Sequence, residues 1–182
     1  MLTMAMLLMM QAAAPAARPL DLAALRLGLA GGWEGKLEYR DYQSNRWFPL
    51  PVKVRVEDGG DGVTLLRKAD FDDGPARGNV RIITASMLGP DGATEYNGTF
   101  RAGRAADLAT SRLTLSAPAA DATHWVMVAV REDRDDDRPA RIRETSTRNG
   151  DTLVTLKEVD FTDDAAETWL VRNRTTLRRV GD

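Results

Sequence analysis

Gly32-Trp33-Glu34-Gly35-Lys36-Leu37-Glu38-Tyr39-Arg40-Asp41-Tyr42 alternates with period two: Trp33, Leu37 and Tyr39 fall on one face, and Glu34, Lys36, Glu38 and Arg40 on the other. That is the pattern of a strand with one side in a core and one in water. The pattern recurs over 47–57, where Val52, Val54 and Val56 interleave with Lys53, Arg55 and Glu57. Further strand-like runs occupy 63–71, 79–88, 93–101, 107–117, 123–132, 140–148, 151–161 and 168–180. Turn chemistry separates them: Asp58-Gly59-Gly60-Asp61-Gly62, Asp72-Asp73-Gly74-Pro75, Gly89-Pro90-Asp91-Gly92 and Asn149-Gly150. About ten antiparallel strands with short turns predict an all-β fold, a single antiparallel up-and-down β-barrel. An even count lets the first and last strands pair and removes both edges. A two-sheet sandwich is the alternative architecture.

The segment before the first strand divides in two. Met1 to Met10 is an apolar run, and Gln11-Ala12-Ala13-Ala14-Pro15-Ala16-Ala17 follows it. An apolar run leading into small residues is the form of a secretory signal, with cleavage after Ala16, although no Lys or Arg precedes it. The run is well short of the ~20 apolar residues that a spanning helix needs. Periplasmic or secreted localisation is therefore expected, with no membrane span. Next, Asp21 caps a short helix whose Leu22, Leu25 and Leu29 lie near one side, and Gly28 or Gly31 ends it. It is expected to plug one end of the barrel. The organisation is a signal over 1–16, a linker and plug helix over 17–31, and the barrel over 32–182.

Composition removes several chemistries. The 182 residues carry 25 basic and 27 acidic side chains, so no global field draws nucleic acid. There is no cysteine, and the single histidine is His124, at the start of the seventh run. The absence of cysteine excludes Cys-His sets, and a lone histidine leaves most zinc sites short of ligands, so neither a metal nor a cofactor is expected. Asp133, Asp135, Asp137 and Glu144 reproduce calcium-loop spacing, but Arg138 stands where the loop needs glycine and Pro139 follows it. Glu132 to Arg138 reads instead as a solvated hairpin loop.

Polar residues inside strands carry the functional expectation. Arg141-Ile142-Arg143-Glu144-Thr145-Ser146-Thr147-Arg148 has one large apolar residue, and the next run sets Lys157 and Glu158 among Leu153, Val154, Leu156 and Val159. Buried charge is costly unless it is paired or meets a ligand. Arg143, Lys157, Glu158 and Arg172, with Tyr39, are therefore the candidate lining of a polar cavity. Strands wetted on both faces, or a charge network serving only the fold, fit the same residues. The leading function is a non-enzymatic barrel that binds a small molecule. One alternative is an isomerase or hydrolase with Glu158 or Glu144 as general base beside Tyr39 or Arg143. The other is a structural protein of the cell envelope with a filled interior.

Gly31-Gly32-Trp33, after a short apolar segment, resembles the Gly-x-Trp opening of lipocalin-like (calycin) barrels. The resemblance implies that Trp33 lies at the closed end with an arginine of the last strand packed over its ring. Arg178 or Arg179 matches that arginine, alternation with Val171 and Leu177 favours Arg179, and the stacking is worth ~0.5–2 kcal/mol. The segments Leu37-Glu38-Tyr39-Arg40-Asp41-Tyr42 and Asp72-Asp73-Gly74-Pro75 look like those of exported bacterial proteins of unassigned function. Trp33-Glu34-Gly35 is also similar to the start of nitrobindins, barrels that bind haem through a histidine late in the chain. His124 departs from that position, so haem is not expected.

Overall fold

Asp21 accepts a hydrogen bond from the backbone N–H of Ala24 at 2.8 Å and so starts helix α1 (Leu22–Leu27). The N–H groups of Leu29 and Ala30 return to the carbonyls of Arg26 and Leu27, which turns the chain directly into the first strand. The computed structural model of the chain describes residues 20–41, 44–76, 78–163 and 166–181. The expected signal segment lies outside them.

Ten strands follow: β1 (Gly31–Asp41), β2 (Arg46–Asp58), β3 (Thr64–Asp72), β4 (Asn79–Leu88), β5 (Thr94–Arg101), β6 (Asp107–Leu115), β7 (His124–Asp135), β8 (Arg138–Asn149), β9 (Thr152–Phe161) and β10 (Leu170–Val180). Each pairs antiparallel with the next, and β10 pairs with β1 to close the barrel. The closed barrel, not the sandwich, is the fold. Pairing is uneven around the wall: β7 and β8 share twelve residue pairs, whereas β6 and β7 share four, from Arg112↔Val130 to Leu115↔Met127.

Residues directly opposite each other on neighbouring strands point to the same side. Trp33, only 1% exposed, faces Val54 on β2 and Arg179 on β10, which fixes the inward set of all three strands. Gly35 belongs to that set. A Cβ there would lie 1.9 Å from the carbonyl oxygen of Thr176, so β10 approaches β1 as only glycine allows. Leu37, Val52, Val56, Leu65, Ala69, Phe71 and Leu177 complete the core around Trp33. A second cluster seats the helix: Leu25 is fully buried against Leu88, Leu113, Trp125 and Met127. The helix thus plugs the end made by the starts of the odd-numbered strands.

Two local features depart from the alternation. Glu132–Arg138, expected as a solvated hairpin loop, is a hairpin with a tighter turn than that: β7 runs on to Asp135 and β8 begins at Arg138. Asp136 and Asp137 alone make the turn, at φ 50° and 58°. Positive φ at both central positions is the geometry of a tight hairpin turn, which aspartate tolerates, and no glycine advertises it here. The other feature is a bulge in β10, where the register shifts between Val171 and Asn173. The extra residue, Arg172, reverses the parity, so Val171 pairs with Glu158 on the outer face and does not share a side with Leu177.

Candidate functional site at the open end of the barrel

At the plugged end Trp33 donates its indole N–H to the Leu29 carbonyl at 2.9 Å. The Arg179 guanidinium lies 4.8 Å from the ring centroid and that of Arg148 lies 5.5 Å away. Arg179 donates to the carbonyls of Ala30 (2.9 Å) and Gly28 (2.8 Å), and Arg148 to that of Gly28 (2.6 Å). These carbonyls end a helix and its turn, where no further backbone N–H reaches them. Arg178 points the other way, exposed and opposite Glu34. His124 also sits at this end, exposed and hydrogen-bonded to Asp121 through Nδ1 (2.8 Å).

The opposite end is open and has two unlike walls. On β1 to β5 a pocket of about 430 Å³ is lined by Tyr39, Phe48, Phe71, Val80, Ile82 and Arg101, among others. Tyr39 faces inward at the rim, and the residue is 49% exposed. Burial on its inner side raises the phenol above its usual pKa, against the pull of Arg101. Across the barrel, on β7 to β10, the inward positions are charged. Arg131 bridges Asp133 (3.1 Å) and Glu144 (3.0 Å). Burial pulls its guanidinium pKa down, but the two carboxylates more than offset this and it ends above the usual value. Lys157 pairs in register with Glu144 and lies 3.9 Å from Asp135. Arg172, on the bulge, binds Asp135 (2.6 Å through Nε) and Asp136, whose hydrogen bonds outweigh burial and hold its pKa up. The Glu144 side chain faces inward yet stays 36% exposed, so solvent enters to mid-barrel.

Of the residues expected to line a cavity, Tyr39 and Lys157 face inward and Arg172 sits at the rim. Arg143 and Glu158 do not join them. They pair across the outer face at 2.9 Å, and Arg143 also lies 4.0 Å from the Trp169 ring. The reason is parity. Ile142, 1% exposed, takes the inward side of β8 and carries Glu144, Ser146 and Arg148 with it, while Val159 does the same for Lys157 on β9. Lys157 and Glu158 are adjacent and cannot share a face. Arg131 and Arg67 were missed. Arg67 was legible, because Leu65, Arg67, Ala69 and Phe71 form one period-two set. Among the described residues no three His, Asp or Glu side chains cluster to hold a metal ion, and no helix is long and apolar enough to cross a membrane.

The chain matches no protein-family model, and no curated protein matches it in sequence. It is similar in structure to the crystal structure of Rv2717c from M. tuberculosis, with a TM-score of 0.58 and 12% identity over 89% of this chain and 99% of that one. The likeness is one of fold. At this identity it establishes membership of neither the calycins nor the nitrobindins.

Proposed function

We propose that this barrel binds a small molecule at its open end and does so without catalysis. The carrying observation is the mouth pocket of about 430 Å³, walled by Tyr39, Phe48, Phe71, Val80 and Ile82 beside a solvated, charged interior. A barrel built only for stability would close that space with side chains. The volume lies within the ~300–1,000 Å³ range of small-molecule sites. Against the catalytic alternative, the inward carboxylate Glu144 is engaged by Arg131, and the one histidine stands at the opposite end. Export belongs to the same proposal and rests on Met1–Ala17, outside the described residues.

The test uses N-phenyl-1-naphthylamine, a neutral dye that fluoresces in apolar sites. Saturable binding with one dye per chain is expected. Ile82→Trp, which fills the mouth, should weaken it by about tenfold or more while leaving the urea midpoint within the usual surface-mutation range. Absence of saturable binding would favour the filled, structural barrel.

A further inference from the structure

Arg67 stands on the inward face of β3, opposite Val56 of β2 and Thr84 of β4. It is partly buried, and its guanidinium forms no hydrogen bond and no ion pair among the described residues. Arg101, exposed at the rim of the mouth pocket, is likewise without a hydrogen bond or ion pair among the described residues, whereas the deeper arginines differ. Arg26 binds Glu95, Ser86 and the Val63 carbonyl; Arg131 binds Asp133 and Glu144; Arg148 and Arg179 bind carbonyls. Glu144 acts on Arg67 electrostatically but is committed to Arg131. Burial pulls the Arg67 pKa below its usual value, with Glu144 working against it. A guanidinium in such a place is costly unless water or an anion satisfies it. Its in-register neighbours are neutral: Val56 and Thr84, the latter with its hydroxyl 3.4 Å from that of Thr99 on the next strand.

Position gives the ligand its shape. Arg67 and Phe71 are four residues apart on one face of β3, ~13 Å along the strand, with Phe71 towards the mouth. Resting on the ligand-binding reading above, we propose that Arg67 receives the anionic head of a small amphipathic molecule, a carboxylate or a phosphate monoester. The molecule enters head first, and its apolar body lies against Tyr39, Phe71 and Ile82.

Competition separates this proposal from the reading beneath it. Bound N-phenyl-1-naphthylamine is displaced with decanoate, decyl phosphate or decanol. In the unaltered protein the better of the two anions should displace about ten- to a hundredfold more effectively than decanol, the gain of a charge-assisted hydrogen bond. Which anion leads identifies carboxylate or phosphate as the preferred head. Arg67→Leu should reduce that preference, taken relative to each variant's own dye affinity, to within about twofold. Arg67→Lys, which keeps the charge, should retain part of it. If Arg67→Leu does not fold, Arg67→Gln makes the same comparison with less change of shape. Equal displacement by decanol and both anions, or a preference that survives loss of the charge at Arg67, overturns the anion site and leaves small-molecule binding standing. Failure of the dye to bind at all overturns both.

Discussion

At the plugged end Arg26, Arg148 and Arg179 give their N–H groups to carbonyl oxygens, a carboxylate and a hydroxyl, whereas on β3, deeper in the barrel than Phe71 at the mouth, the Arg67 guanidinium has no such partner among the described residues. Even Arg179, whose Nε is the only buried side-chain polar atom of the described residues without a partner, keeps its two terminal nitrogens engaged. The residue type is the same and the roles diverge. Where a helix ends inside a barrel, its carbonyls supply acceptors and an arginine there serves the fold. Where the in-register neighbours are Val56 and Thr84, as at Arg67, no acceptor of the described residues takes up the guanidinium. Burial alone does not distinguish the two.

The largest effect that tests this division is at the plug. Trp33→Ala should cost about 3–5 kcal/mol in urea unfolding, while Tyr39→Ala, half-exposed at the mouth, should cost less than about 1 kcal/mol. Similar losses at the two positions would erase the distinction between a load carried at one end and a surface offered at the other. A smaller effect sharpens the inner boundary of the site. Arg143→Leu removes an outer ion pair and its stacking on Trp169, and should cost about 1 kcal/mol with dye binding intact. Weakened binding would mean that the outer face contributes to the site.

The smallest effect concerns acid. Asp160 accepts hydrogen bonds from Arg141 (2.6 Å) and from the backbone N–H of Thr168 (2.7 Å), so it holds the connection between β9 and β10 to the outer wall. The bond from Arg141 keeps its carboxyl below the usual range. A depressed folded pKa means that this stabilisation is complete above the unfolded value, ~4, and is lost as pH falls through the folded one. Trp169 emission, read as the difference between the protein and its Trp169→Phe variant, should therefore shift below about pH 4. In Asp160→Asn that step should be missing; its persistence would locate the acid-sensitive contact elsewhere.

The strands were legible because alternation and turn residues are local. Gly89-Pro90-Asp91-Gly92 and Asn149-Gly150 separate strands where the sequence says they should, and Trp33 shows its inward face by itself. The site was legible only in part, since membership of an interior depends on parity and register. The contrast of Ile142 with Arg143 contained the parity of β8, but a strand otherwise so polar concealed it. The tight Asp136-Asp137 turn was hidden by charge that looks like loop, and with it the extension of β7 that carries Asp135 to Arg172. The bridge from Arg131 to Glu144 exists only once β7 and β8 are aligned residue by residue.

The four-pair contact between β6 and β7 has a mechanical meaning. Beyond Arg112↔Val130, towards the open end, Asp107–Ser111 and Arg131–Asp135 run on without each other as partners, while their far sides stay stitched to β5 and β8. The shortest ladder of the wall is where local opening is expected first, and Arg131 stands just beyond its last pair.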